Sequence, residues 1–417
     1  NMGPNNEVGI GPRFKPFYVD DKKPNPALDS WFGDSWKRGG GTSWGYFTWD
    51  PEINIFYYST GNCGPWNPDY RREWGKIDLD ANGGLQSYRS NYCASQMARD
   101  GTTGELIWAY NITPQDHWDL DEPLITPLTD IEIGGQMRKV AMKAARDGLA
   151  YVWDRATGEL LVKPWMHTYQ DITKPDANGE FVNMQTGRPN YDIRKMSFTD
   201  VADRKKYTNE DPLAANKPDN YTGTEVIYCP GTAARNWEND AYSPKTKLLY
   251  THSDNTCGST VSITGEYKPG QGYTLRRGAG GAAPPMMGVD GKVTTVGSQL
   301  NAQDMIGRKI VWKKDINDTS RTPQMVTATD IVFKGNNATG NFEAYNATNG
   351  NQLFSFRAGS RFNQSPITYL GPDKKQYVAI ISSSAATNTA VAANAAPDNA
   401  NRYRRSGTTL YVFKLPG

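Results

Sequence analysis

Two carboxylates, an amide and an indole form the set of residues in this chain best suited to chemistry. Asp119 and Asp121 stand in His117-Trp118-Asp119-Leu120-Asp121. In an extended segment, positions i and i+2 point to the same face, so both acids are expected to reach one site while Trp118 and Leu120 face away. Two adjacent carboxylates repel each other unless a cation sits between them. A solvated acidic loop is the plainer alternative, because Asp116 and Glu122 are close by. Asn62, in Thr60-Gly61-Asn62-Cys63-Gly64-Pro65-Trp66, offers an amide oxygen that suits a hard cation, although Gly-Asn is also a common turn. In Gly39-Gly40-Gly41-Thr42-Ser43-Trp44-Gly45, glycine lets backbone approach a ligand, Thr42 can hydrogen-bond it and Trp44 presents a stacking face. Arg146 sits in Lys143-Ala-Ala-Arg146-Asp147-Gly148, with Lys143 as a rival basic group. Close backbone approach, a flat platform, a neutral oxygen ligand and two acids are what a flat, polar, metal-bound redox cofactor needs.

These residues must be held by short strands. Ala98-Arg-Asp100-Gly-Thr-Thr103-Gly104-Glu105-Leu-Ile-Trp108 is the clearest copy of a recurring strand–turn–strand pattern. Asp154-Arg-Ala-Thr157-Gly158-Glu159, Ala302-Gln-Asp304 with Trp312, and Ala344-Tyr-Asn346-Ala-Thr-Asn349-Gly350 ending in Phe354 repeat it. Asp or Asn should bond the turn backbone, Gly supply the positive φ and the aromatic return to a packing face. A second unit, Asp50-Pro51 to Phe56-Tyr57 and Ser243-Pro244 to Leu249-Tyr250, interleaves with it. Repeated antiparallel units of this size imply a β-propeller or a related radial array. Residues 165–222, polar and poor in strand patterning, and 258–290, rich in Gly and Pro, are expected to be insertions or blade-connecting loops, and the Ala/Asn-rich stretch 384–401 a flexible linker, with a loop or short surface helix as the alternative.

Composition narrows the class. The 417 residues carry 46 basic and 44 acidic side chains, a net charge of +2, which gives no electrostatic reason to expect nucleic acid or a membrane surface as partner. Abundant Gly (41), Pro (26), Tyr (23) and Trp (12) favour many short strands. No apolar run is long enough for a transmembrane helix, and no signal peptide is visible. The four Cys form neither CxxC nor CxxCH, which excludes a zinc ribbon and a c-type haem site. An even count fits two disulfides in an oxidising compartment, with four buried thiols as the alternative. Three scattered His make a His-based zinc site a poor reading.

The combination resembles the pyrroloquinoline-quinone (PQQ)-dependent alcohol dehydrogenases of the methanol dehydrogenase type. The Ala98–Trp108 unit is similar to that family's tryptophan-docking motif. The likeness runs from about Ile10 to Pro416 and is densest over residues 36–160. It implies an all-β fold, a β-propeller of four-stranded antiparallel blades, eight in the full family. The family's opening blades carry a metal-binding Glu, an Arg beside it and a pair of adjacent cysteines, and none has a counterpart here. Residues 1–417 are therefore expected to form a single, N-terminally truncated propeller domain of the later blades. The resemblance makes Asp119 the catalytic base and, with Asn62 and Asp121, a ligand of Ca2+ or a lanthanide; the second acid favours the lanthanide subgroup. It makes Thr42, Trp44, Arg146 and Asn236 cofactor contacts, Trp66 a wall of the substrate pocket, and Cys229–Cys257 a disulfide. Cys63 and Cys93 have only parity to pair them. Asp147 stands where relatives commonly carry Asn.

The implied activity is oxidation of an alcohol, primary or other, to the aldehyde by hydride transfer to metal-bound PQQ. Electrons would pass to an external cytochrome c in the periplasm, and a homodimer stays open. A non-catalytic β-propeller scaffold is the alternative. A glycoside hydrolase is disfavoured, because Asp119 and Asp121 are too close in sequence to flank a sugar bond from opposite sides.

Overall fold

The computed structural model describes residues 10–15, 30–31, 35–38, 40–67, 70, 90–114, 116–173, 175–190, 225–231, 233–278, 284–316, 322–337, 339–358, 360–362, 364–383 and 408–414. Gly39, residues 191–222 and the stretch 384–401 lie outside them. The chain divides into two compact units, Asn1–Ala234 with Asn255–Thr294, and Arg235–Asp254 with Thr295–Gly417. Strands dominate both, and among the described residues the helical element is a 3-10 turn at Ser35–Arg38. No described helix is long and apolar enough to cross a membrane.

In the first unit, β2 (Thr48–Asp50), β3 (Ile55–Ser59), β4 (Ser95–Asp100) and β5 (Leu106–Asn111) form an antiparallel meander, and β1 (Ile10–Lys15) adds in parallel to β5. A second meander follows as β6 (Leu128–Ile133), β7 (Gln136–Ala144), β8 (Leu149–Asp154) and β9 (Leu160–Met166). In the second unit, β11 (Ala241–Ser243) and β12 (Leu248–Asp254) pair with β17 (Ser298–Asp304) and β18 (Lys309–Asp315). Another four-stranded sheet contains β19 (Gln324–Val326), β20 (Ile331–Asn336), β21 (Asn341–Asn346) and β22 (Gln352–Arg357). A three-stranded sheet closes the chain with β23 (Ile367–Leu370), β24 (Gln376–Ser383) and β25 (Thr408–Lys414). These are the four-stranded antiparallel sheets of a β-propeller.

The recurring turns form as their composition requires. Asp100 Oδ1 accepts the N–H groups of Thr102 and Thr103, both at 2.8 Å. Asp154 and Asn346 do the same for the backbone two and three residues on. In the copy at Asp304, Arg308 takes the left-handed conformation (φ 56°) that glycine holds elsewhere. The aromatic at the end of a copy then docks on the turn of the next. Trp108 Nε1 donates to Arg155 O at 3.1 Å, and Tyr57 Oη donates to the same carbonyl at 2.6 Å. Trp312 and Tyr250 repeat this arrangement on Ala347 O. Phe354 departs from the pattern: it has no polar handle and is 42% exposed.

The stretch 258–290 is more ordered than its Gly and Pro content suggests. It contains β13 (Gly258–Ser262), β14 (Arg276–Gly278) and β15 (Met286–Met287), and β13 is paired with β10 (Glu225–Tyr228). The Cys229–Cys257 disulfide, as the resemblance implies, joins the ends of β10 and β13. Tertiary pairing thus supplies what local propensity lacks.

Glycine at position 158 is required twice over. Its φ is +76°, and a Cβ there would come within 2.7 Å of the Trp108 indole. Gly104 has φ +75° with nothing within 4 Å. Gly158→Ala is therefore expected to lose about 2–4 kcal/mol from backbone strain and overpacking together. Gly104→Ala should lose only about 1 kcal/mol from the backbone. Urea unfolding of the two variants side by side measures the difference.

Candidate active site

The floor of the site is built at the end of β3. Beyond Ser59 the chain runs on through Thr60 to Cys63 and is zipped to the glycine-rich segment by bridges Gly40–Cys63 and Ser43–Thr60. Gly41 N–H donates to Asn62 O at 2.8 Å, and Gly61 N–H to Thr42 O at 2.7 Å. Gly45 has φ +89°, and a Cβ on it would lie 2.1 Å from Pro123 O, so only glycine lets this segment pass the acidic loop. Trp44 is held here with 38% of its surface exposed, an open indole.

The acidic loop is neither extended nor solvated. Asp116 is fully buried and accepts the N–H groups of Trp118 at 2.9 Å and Leu120 at 3.0 Å. Asp119 has φ +74°, so the simple alternation of an extended strand does not hold. Trp118 and Leu120 are buried, as is Asp121. The two carboxylates find different partners in one place. Asn62 Nδ2 donates to Asp119 Oδ1 at 3.1 Å. Trp44 Nε1 donates to Asp121 Oδ2 at 2.6 Å.

Arg146 reaches the acidic loop from the β7–β8 turn. Its guanidinium forms an ion pair with the Asp121 carboxylate and donates to Asp119 O at 2.9 Å. The Arg146 N–H donates to Glu122 Oε1 at 3.0 Å. The rival Lys143 lies deeper, with Nζ 2.5 Å from Ser59 Oγ and 3.9 Å from Glu122 Oε2. Arg146 and not Lys143 is therefore the cation that pairs with Asp121, while Lys143 faces Glu122. The sequence offered no signal for Glu122 beyond its neighbours; only its burial marks it.

Trp66 lies under the guanidinium of Arg276, 4.5 Å from ring centroid to Cζ, and Arg276 also donates to His117 O at 3.3 Å. Arg276 went unnoticed in the sequence, because it comes from β14, far along the chain. Burial pushes the Tyr228 hydroxyl up to about 12, with Arg276 pulling it down and Asp119 and Asp116 raising it. Thr42 is exposed beside the floor. Asn236 belongs to the second unit, where its Oδ1 is buried without a hydrogen-bond partner among the described residues. Cys63 and Cys93 carry buried thiols in one small cluster with Trp31 and are not bonded to each other.

These residues fit a metal-bound planar cofactor in kind. Two carboxylates and an amide converge beside an exposed indole, and a carboxylate has lone pairs to spare beyond the donors already on Asp119 and Asp121. Among the described residues no cluster of three or more His, Cys, Asp or Glu is arranged for a metal, so this mixed oxygen set would need further oxygens from the cofactor.

Antiparallel four-stranded sheets, tryptophans docked on the following turn and an acid–amide–arginine site define a quinoprotein-type β-propeller. A family model described as the glucose/ethanol/alcohol dehydrogenase β-propeller domain of PQQ enzymes matches residues 14–378, and the chain belongs to this family. It is 29% identical to the lanthanide-dependent methanol dehydrogenase of Methylacidiphilum fumariolicum (strain SolV) over 96% of its length, covering 57% of that protein. It is 29% identical to methanol dehydrogenase [cytochrome c] subunit 1 of Paracoccus denitrificans over 91% of its length, covering 53% of that protein. Among solved structures, a europium-containing methanol dehydrogenase superposes with a TM-score of 0.76 at 26% identity, over 99% of this chain and 66% of that one. The chain thus spans between about half and two thirds of the length of these relatives.

Asp147, beside Arg146, is fully enclosed, accepting Leu149 N–H at 2.8 Å and Tyr151 Oη–H at 2.7 Å. Burial pushes its carboxyl up to about 7, against the pull of those bonds. A carboxyl whose folded pKa lies above its unfolded value favours the folded state most at low pH. That contribution falls away as pH rises from about 4 to about 7 and is level above. Asp147→Asn should match the parent near pH 4 and exceed its stability at pH 8 by roughly 2–4 kcal/mol. Denaturant titrations at the two pH values read this directly.

Proposed function

We propose that this chain serves alcohol oxidation with PQQ as cofactor and a hard cation, Ca2+ or a lanthanide, beside it. The supporting observation is the convergence of Asn62, Asp119, Asp121, Arg146 and Trp44 through direct hydrogen bonds in one place. When bound, the metal-held quinone supplies the electrophilic carbon that accepts hydride. Asn62, Asp119 and Asp121 are the ligands on offer. The presence of two acids favours a trivalent ion over calcium, in keeping with relatives named lanthanide-dependent and europium-containing.

Each side chain then has a definite task. Trp44, its indole N–H anchored on Asp121, presents a fixed face for stacking. Arg146, clamped by Asp121 and by Asp119 O, brings positive charge to the same edge. Asp119 accepts the hydroxyl proton of the alcohol as general base. Trp66 forms an aromatic wall beside them. Residues 1–417 act as one propeller domain in this reading. The product electrons leave to an external cytochrome c, in keeping with the name of the Paracoccus relative, and the setting is the periplasm, where the Cys229–Cys257 disulfide persists.

Purified protein mixed with PQQ and either Ca2+ or La3+ should retain quinone absorbance through gel filtration and reduce a dye when a primary alcohol is added. Asp119→Asn should keep the quinone band and lose about 10²- to 10⁴-fold in rate. No band and no dye reduction with any alcohol would leave the non-catalytic scaffold as the better reading.

A further inference from the structure

We propose that Glu122 and Lys143 are positioning residues, a buried ion pair that holds the three segments of the site in register. The inference rests on the site reading above and goes beyond it, because neither residue belongs to the set of metal, cofactor or substrate contacts.

Both side chains are 0% exposed, with Lys143 Nζ 3.9 Å from Glu122 Oε2. Their remaining bonds reach the three segments that carry Asn62, the paired acids and Arg146. Glu122 Oε1 accepts the Arg146 N–H at 3.0 Å, which ties down the β7–β8 turn. Glu122 N–H donates to Thr60 O at 3.1 Å, and Lys143 Nζ donates to Ser59 Oγ at 2.5 Å, both just ahead of Asn62. Lys143 Nζ also donates to Leu124 O at 3.3 Å, at the exit of the acidic loop. Ser59 Oγ passes the network on to Gln96 Oε1 at 3.0 Å, which Thr126 also meets at 2.9 Å.

Burial makes this pair sensitive in a diagnostic way. Removing one partner leaves an uncompensated charge in a dry site, whereas replacing both by neutral groups of similar shape is often tolerated. Gln at position 122 keeps an oxygen for the Arg146 N–H. Lys143→Met should therefore loosen the site more than the double variant Lys143→Met/Glu122→Gln. A merely volume-filling role would show no such rescue in the site itself.

The test uses the full chain and two independent readouts. Native-state hydrogen exchange is followed by mass spectrometry on peptides covering 58–62, 116–124 and 143–148. Binding of Tb3+ alone is followed by emission sensitised through Trp44, whose indole is hydrogen-bonded to Asp121. In Lys143→Met the three peptides should lose protection together while β6 and β9 keep theirs, and the Tb3+ midpoint should rise about tenfold. The double variant should recover most of both. Unchanged protection and midpoint in Lys143→Met, or equal loss over every strand of the unit, overturns the proposal. If Lys143→Met does not fold, Glu122→Gln is read by the same criteria. Absence of Tb3+ emission in the parent protein counts against the metal site alone, and the exchange arm still decides the positioning role.

Discussion

The contact on which the site depends is an indole pressed against a glycine. Trp108, within β5, lies over Gly158 in the β8–β9 turn and donates to Arg155 O, with Tyr57 on the same carbonyl. That docking point, with the Arg155 ion pair to Asp50 and a shared apolar core, holds the sheet of β2–β5 against that of β6–β9. The candidate site residues are divided between those sheets: Asn62 follows β3, Asp119 and Asp121 lie on the connection from β5 to β6, and Arg146 sits between β7 and β8. A slip between sheets would pull the donors of Asp119 and Asp121 apart. A broad apolar contact with one directional hydrogen bond resists both sliding and rotation. The same device recurs with Trp312 over Gly350 in the second unit, where one sheet contributes the aromatics and the next the tight turn and its carbonyl.

Within that frame the site is organised by the need to answer buried charge. Asp116, Asp121 and Glu122 are all buried, and each is met by backbone N–H groups or a cation. Each of these acids is thereby held by its partners. Preorganised side chains supported by a surrounding layer of partners are what binding and proton transfer need, because no reorganisation is left to be done at the moment of reaction. Asp119 is the exception that fits this reading. It is only partly buried and sits at positive φ, a strained placement for a residue other than glycine.

Much of this was legible in the chain. The Asp-x-x-Thr-Gly turns, the aromatic eight residues after the Asp, and the residue types at 44, 62, 119, 121 and 146 point to propeller and cofactor from local pattern alone. Two expectations needed correction, and one alternative is set aside. Alternation in an extended segment was the wrong reason for bringing Asp119 and Asp121 together, since the φ of Asp119 bends the chain there. The acids near them are buried partners and not a solvated run. The Gly- and Pro-rich stretch after Cys257 contributes strands to a sheet.

Turn chemistry and aromatic spacing are written locally, because Asp, Gly and Trp act on backbone only a few residues away; the sequence by itself therefore determined the strand units, the docking tryptophans and the candidate donors. Which donor meets which acceptor was decided by tertiary structure. Arg146 over Lys143, Glu122 beneath both and Arg276 against Trp66 all depend on segments distant in the chain. The value of a charged side chain depends on the dielectric around it and on the partner opposite, and neither exists until the sheets have packed.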